Sequence, residues 1–198
     1  MKKVFLIENG HGGLVGGVYQ TAGKQSPDFG NGILFEGVSN RTIAKKVLAL
    51  CKKDGINAVE LVPENHDISL GERVRRANKY NPANTILVSL HSNAATDEKA
   101  SGWEIFTSVG KTKSDDIATV IFDEMKKAFP DAKFRTETAD GDPDKEIDFF
   151  LIKKSACPAV LIENFFMTNK KDCALLQSEK GQDTIAEAIF QAIKRLDK

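Results

Sequence analysis

The sequence predicts an α/β domain, a mostly parallel twisted sheet flanked by helices on both faces. Three observations predict it. Residues 4–7, 86–90 and 159–162 are short, nearly continuous apolar runs, as strands covered on both faces require. The stretches between them place apolar residues at the spacing of an amphipathic helix. The two patterns alternate along the chain instead of segregating.

Residues 4–7 give the first strand. Residues 8–35 are rich in Gly, with Asn, Ser and Pro27 among them, and read as one long loop, longer than ordinary connections and therefore a functional candidate. From about Asn40 to Asp54, Ile43, Val47, Leu50 and Cys51 recur at helical spacing, with Gly55 where a C-cap would fall. Residues 58–62 are a second strand. Ser69 to Glu72 matches a capping box and opens a helix that runs to about Tyr80. Ile86-Leu87-Val88-Ser89-Leu90 is the clearest buried strand and delivers His91 at its end. Residues 103–107 read as another strand, and Ile117, Val120, Ile121 and Met125 mark a helix over about 114–129. Residues 130–148 are polar and rich in Asp, Gly and Pro, an exposed loop. Residues 159–162 are a strand delivering Glu163, and Ile185, Ala188, Ile189, Ala192, Ile193 and Leu196 line one face of a last helix. No repeat, linker or low-complexity segment interrupts the pattern, so residues 1–198 are expected to form a single domain.

Composition narrows the function classes. With 41% hydrophobic residues the chain can bury a core without staples. Lys plus Arg and Asp plus Glu number 28 each, and no basic block suggests a nucleic-acid partner. Cys51, Cys157 and Cys173 are scattered and odd in number, which argues for buried free thiols over a disulfide framework. Val4-Phe5-Leu6-Ile7 after two lysines imitates the start of a signal peptide, but Glu8, Asn9 and Gly10 end the run well short of an export segment. No stretch is long enough to span a bilayer, so no membrane insertion is expected. The chain is expected to be synthesised in the cytoplasm.

In α/β sheets ligands bind outside the carboxyl ends of the strands. His11, His91 and Glu163 each fall at or just after such an end. His11 lies in Gly10-His11-Gly12-Gly13, where glycines allow close backbone approach; taken alone it reads equally as a turn histidine. His91 alone fits a satisfied core histidine as well as a ligand. His66, in a polar turn, reads as a solvated loop residue. Glu36 follows Ile33-Leu34-Phe35 and reads as an element terminus or a ligand. Glu163 follows four strongly apolar residues, and a carboxylate placed that deep must be paired, metal-bound or shifted in pKa. Two His and one Glu make a catalytic zinc set with the fourth position left to water. A second carboxylate can shuttle the proton. His11, Glu36, His91 and Glu163 would supply that set, though at long range, without a local motif to establish it.

These residues fall in motifs that resemble the zinc-dependent N-acetylmuramoyl-L-alanine amidases of the amidase-3 type, over nearly the whole length. Ile7-Glu8-Asn9-Gly10-His11-Gly12-Gly13 is similar to the family's opening Asp-Pro-Gly-His-Gly-Gly. Phe35-Glu36 with Asn40-Arg41 and Ile43-Ala44 is similar to the segment bearing the ligand glutamate. Asp67-Ile68-Ser69-Leu70-Gly71-Glu72-Arg73 with Ala77-Asn78, Val88 to Ala94, and Leu161-Ile162-Glu163 with Phe166 and Asn169 match three further signatures in order. The resemblance implies zinc held by His11, Glu36 and His91, with Glu163 as the catalytic carboxylate. It implies peptidoglycan as substrate, cut between the lactyl group of N-acetylmuramic acid and L-alanine. Glu8-Asn9 in place of Asp-Pro, and Gly23-Lys24-Gln25-Ser26-Pro27, are closer to phage and prophage versions. Asn164 replaces the small residue that often follows the glutamate. Arg73, Arg75 and Arg76 have two readings: one of them holds a carboxylate of the stem peptide or of the protein, or all three form a solvated helix face, and the second is favoured because helix charges usually face water.

Three other readings compete. A zinc peptidase cutting within the stem peptide would use the same residues. A silent wall-binding module would have lost one of them, and all four are present. A nucleotide-binding domain would need G-x-G-x-x-G or a P-loop, and the glycines near Gly10 form neither. The catalytic pattern occupies the chain and leaves no separate wall-binding domain, so the expected setting is an endolysin released to the wall with a hole-forming partner.

Overall fold

The computed structural model describes residues 2–139 and 141–198. Its elements run β1(Val4–Asn9), β2(Leu14–Val15), β3(Val18–Tyr19), α1(Glu36–Lys53), β4(Ala58–Glu60), α2(Leu70–Ala77), β5(Thr85–Asn93), β6(Glu104–Thr107), α3(Lys113–Ala128), β7(Lys145–Glu146), α4(Phe150–Lys154), β8(Ala159–Phe166), α5(Lys170–Gln177) and α6(Glu179–Leu196). The main sheet has the order β4-β1-β5-β8-β6-β7. β4, β1, β5 and β8 run parallel, and β6 turns antiparallel to β8. The expected mostly parallel α/β architecture is the one observed.

Side chains alternate across the sheet, and the two faces are covered differently. Phe5, Ile7, Val88, Leu90, Val160 and Ile162 pack under α1, α3 and α6, with α6 between the other two. Leu6, Leu87, Leu161 and Phe106 pack against Val74 and Ala77 of α2 and Leu151 and Ile152 of α4. Each such fully buried aliphatic side chain contributes about 1.5–3 kcal/mol relative to exposure. Cys51, Cys157 and Cys173 are free and buried, as expected. Among the described residues no helix is long and apolar enough to cross a membrane.

Several elements depart from the sequence reading. α1 starts at Glu36 rather than near Asn40, because its first turns bury polar residues, Glu36, Ser39, Asn40 and Arg41, which carry no apolar periodicity. The long loop contains the β2–β3 hairpin, closed by Gly16 and Gly17 at φ 57° and 81°, both in the left-handed region that a two-residue turn requires. β7, α4 and α5 are additional; the first two are too short to show a period, and α5 is capped by the Asn169 side chain accepting from Lys171 and Asp172 N–H.

Candidate metal and catalytic site

The sheet face that packs on α2 and α4 changes character along its strands. In β1, Leu6 is followed on the same face by Glu8; in β5, Leu87 by Ser89 and His91; in β8, Leu161 by Glu163. Register aligns them across the sheet: Glu8 is opposite Ser89, His91 opposite Glu163, and Glu163 opposite Glu104. The apolar half of that face holds the core. The polar half, at the carboxyl ends of three adjacent parallel strands, forms a crevice.

Two further residues close on His91. Glu36, 2% exposed at the first position of α1, places Oε1 3.1 Å from His91 Nδ1 and accepts the Ser92 backbone N–H through the same oxygen. Its Oε2 stands 3.3 Å from His11 Nε2. His11 lies just beyond β1 with φ 67°, a left-handed conformation that turns its imidazole back toward the sheet. The two imidazoles meet edge to face at 5.0 Å. One donor atom from each of His11, Glu36 and His91 lies within 4.8 Å of the others. Donors about 2.0–2.2 Å from a tetrahedral zinc stand roughly 3.3 Å apart; the two histidines contact different oxygens of Glu36, and the nitrogen–oxygen donor set they form together is of the type that ion takes.

The electrostatics point the same way. Burial alone would raise the Glu36 carboxyl, but hydrogen bonds to His11 and His91, and their charge, hold it well below the usual carboxylate range. Burial would lower His91, yet the Glu36 hydrogen bond and the charges of Glu163, Glu36 and Glu8 outweigh it and raise the imidazole to about 9. Three carboxylates converging on one histidine make a pocket that favours positive charge. Glu163 is pushed up to about 8, by burial first and then by Glu36 and Glu104, with His91 and Lys24 opposing. Its Oε2 is buried with no hydrogen-bond partner. A carboxyl titrating near neutrality can both take and return a proton.

Behind the cluster lies a layer for which the sequence reading favoured a solvated helix face over an arginine holding a protein carboxylate, and for Arg73 the second reading is the one observed. Arg73 is 2% exposed, not part of a solvated face. Its guanidinium pairs with Glu8 and donates to Asn9 O at 2.9 Å, His11 O at 3.3 Å and Asp67 Oδ1 at 3.1 Å, while its Nε donates to Ile68 O at 2.7 Å. Arg41 also donates to His11 O, at 2.7 Å. Two arginines therefore grip the carbonyl of the residue held in the strained backbone conformation. Ser89 Oγ donates to Glu8 Oε2 at 2.5 Å, and that oxygen faces His91 Nε2 at 3.9 Å. Arg75 and Arg76 stay on the outer face, paired with Glu72 and Glu64. The signal for Arg73 was its place four residues before buried Ala77, on the helix face turned to the sheet. His66 is exposed and takes no part in the cluster. Asn164 is buried; its amide donates to His91 O at 3.2 Å and its oxygen accepts the Trp103 indole N–H at 3.2 Å, so it ties the His91 backbone to the core.

A cavity of about 410 Å³ adjoins the cluster, walled by His11, His91, Glu8, Arg73, Ile68 and Leu70. A larger one, about 860 Å³, lies at the opposite ends of the strands around Asn84, Cys157 and Pro158, away from the convergent polar groups.

A family model described as N-acetylmuramoyl-L-alanine amidase matches residues 5–195. The uncharacterized protein YqiI of Bacillus subtilis is 32% identical, over 96% of this chain and 83% of that one. The endolysin of Bacillus phage SPP1 is 28% identical over 99% of this chain and 66% of its own length. Among solved structures, the N-acetylmuramoyl-L-alanine amidase from Clostridium difficile 630 superposes with a TM-score of 0.82 at 27% identity, covering 98% of this chain and 96% of that one. The family match over nearly the whole chain and the superposition agree with the sequence motifs: the chain belongs to the N-acetylmuramoyl-L-alanine amidase family.

Proposed function

We propose that this peptidoglycan amidase is zinc-dependent, that His11, Glu36 and His91 hold the ion, and that Glu163 is its proton-transfer group. The observation that carries the proposal is the convergence of His11, Glu36 and His91 beside Glu163, which stands in register with His91. When bound there, zinc supplies a Lewis acid and lowers the pKa of water to near neutrality. Glu163 accepts the proton of the attacking water as its oxygen adds to the lactyl carbonyl carbon. The same carboxyl then delivers that proton to the alanine nitrogen, and the C–N bond breaks. The products are a free lactyl carboxylate and a stem peptide with a free L-alanine amine. Glu8, itself held by Ser89 and Arg73, faces the far nitrogen of His91 at 3.9 Å, the side from which carboxylates orient metal-binding imidazoles.

Residues 1–198 act, in this reading, as one catalytic unit. Similarity to the SPP1 endolysin supports a lytic, prophage-type role in which a hole-forming partner gives access to the wall.

Digestion of purified peptidoglycan, with products identified by mass spectrometry, tests the proposal. Stem peptides beginning with L-alanine are expected, lost on chelation and restored by zinc. Cuts confined to the interior of the stem peptide would replace this reading with the peptidase one. Activity unaffected by exhaustive chelation would remove the metal from it.

Gly10 offers a second check. A Cβ at this position would lie 2.2 Å from His91 Cε1, so Gly10→Ala must displace the imidazole. The variant is expected to fold but bind zinc about 10- to 100-fold more weakly, as when a metal ligand loses its orientation. Competition with a chromophoric chelator measures this, and unchanged affinity would mean that His91 does not bind the ion.

A further inference from the structure

Residues 133–135, inside the segment that the sequence reads as an exposed loop, are bolted to the start of β6. Trp103 N–H donates to Lys133 O and Arg135 N–H donates to Trp103 O, both at 2.9 Å, and Phe134 pairs with Trp103 as an isolated parallel bridge. The Phe134 ring turns into the core, 5.6 Å from that of Trp103 and 5.2 Å from that of Phe122. Arg135, next along extended chain, turns to the opposite side, where Glu104 stands across from Glu163. Its Nε meets Glu104 Oε2 at 3.3 Å, and its guanidinium carbon lies 5.1 Å from the centre of the Phe166 ring. Lys145 pairs with the same Glu104 oxygen, and the Asn93 side-chain amide donates to the other. Glu104 is thus buried with both oxygens occupied, one negative charge against two positive ones. Among the described residues neither Arg135 nor Lys145 has another ion-pair partner, and the two terminal nitrogens of Arg135 have no acceptor.

A guanidinium stacked on an aromatic ring and pinned through Nε presents its remaining two nitrogens as a fixed fork. That geometry takes a carboxylate through two parallel hydrogen bonds. The sheet order selects the carboxylate. Across the sheet, β1 and β5 deliver His11 and His91, β8 delivers Glu163, and β6 delivers Glu104 with Arg135. In the reaction proposed above the lactyl carbonyl lies at the His11–Glu36–His91 cluster and the alanine nitrogen at Glu163, so the leaving peptide points toward β6. Adjacent strands stand about 4.8 Å apart, and one further hydrogen bond puts the guanidinium roughly 8 Å beyond Glu163. Extended peptide covers about 3.5 Å per residue, so this span reaches the second residue of the stem. That residue is a D-glutamate joined onward through its side-chain carboxyl, which leaves its α-carboxyl either free or amidated.

We propose that Arg135, its fork held by Phe166 and Glu104, binds the α-carboxylate of the stem-peptide glutamate, so that the protein prefers walls in which this carboxyl is not amidated. The proposal rests on the roles given above to the metal cluster and to Glu163. Lys145 offsets the Glu104 charge and leaves that of Arg135 for the substrate.

The test compares uncrosslinked glycan strands whose stem peptides differ only at that α-carboxyl, free in one and amidated in the other, with released peptides quantified by mass spectrometry. The native chain is expected to cut the free-acid strands with a kcat/KM about 10- to 100-fold higher, the worth of hydrogen bonding between charged groups. Arg135→Gln should bring the ratio to within about threefold of unity, chiefly by slowing the free-acid substrate. An indirect effect through Glu104 on Glu163 would instead slow both substrates alike and preserve the ratio. Arg75→Gln removes a charge from the outer face of α2 and should leave the ratio as in the native chain. Where Arg135→Gln does not fold, Arg135→Lys decides: it keeps the charge without the fork and should still cut the ratio by about threefold or more. Equal cutting of both strands by the native chain, or a ratio that survives the Arg135 substitution, would overturn the subsite while the amidase reading stands. Release of no L-alanine-terminated peptide from either strand would strike at the amidase reading itself, and the subsite with it.

Discussion

A Glu163→Gln chain is expected to lose about two to four orders of magnitude in kcat on peptidoglycan while retaining its zinc, the range over which a positioned acid–base group accelerates a reaction. Gln keeps the size and the register against His91 but can neither accept nor return a proton. Glu163 lies outside the close triangle formed by His11, Glu36 and His91, so the variant should bind zinc within a few fold of the native chain. That pairing of outcomes separates a proton-transfer role from a ligand role. Loss of zinc together with activity would make Glu163 a ligand, and a drop in kcat of under about tenfold would remove it from proton transfer. Removing the Glu163 charge also removes one of the acids that raise His91, so zinc should compete against a less basic imidazole, a change opposite in sign to ligand loss.

Much of this site was legible in the sequence because buried parallel strands announce themselves. The apolar runs before His91 and Glu163 mark β5 and β8, which continue past those residues to Asn93 and Phe166, and the carboxyl end of a strand in an α/β sheet is where chemistry collects. The register that sets His91 opposite Glu163 was not legible, because pairing between strands some 70 residues apart leaves no local trace. The β2–β3 hairpin carried a readable signal, Gly16-Gly17 between Leu14-Val15 and Val18-Tyr19, but it lay inside a segment whose overall composition spoke for loop. The first turn of α1 escaped for the opposite reason: its buried residues are polar because they face the site, and periodicity counts only apolar ones.

Arg73 shows the same limit at single-residue scale. Charge on a helix usually means solvent, and Arg75 and Arg76 obey that rule. Arg73 is buried because its helix lies over a sheet face that is itself charged, and the partner that explains it, Glu8, is 65 positions away. Asn164 follows the same logic: a polar residue beside a catalytic candidate is explained only once Trp103 and the His91 carbonyl stand on either side of it.

The Arg73–Glu8 pair should carry the largest single stability effect in the polar layer. Arg73→Met keeps most of the side-chain volume but leaves the Glu8 carboxylate buried with Ser89 as its remaining close donor, and strips donors from the carbonyls of Asn9, His11 and Ile68. Breaking a buried pair from one side costs about 3–5 kcal/mol, because the surviving charge is uncompensated. Urea unfolding of the native chain, Arg73→Met, Glu8→Met and the double variant would give the full cycle. The double variant should be more stable than Arg73→Met alone, since it removes the stranded carboxylate, yet fall short of the native chain because the carbonyls of Asn9, His11 and Ile68 each still lack the Arg73 donor. A loss below about 1 kcal/mol in Arg73→Met would place the pair with ordinary surface ion pairs and contradict its burial. Function separates the two variants further. Arg73→Met loosens the Glu8 carboxylate behind His91 and Glu8→Met removes it, but only Arg73→Met releases the His11 carbonyl from one of its two arginines, leaving Arg41 to hold the left-handed turn. Zinc affinity should therefore fall further in Arg73→Met than in Glu8→Met, which ties the ordering of the metal cluster to the backbone of His11 as well as to the ring of His91.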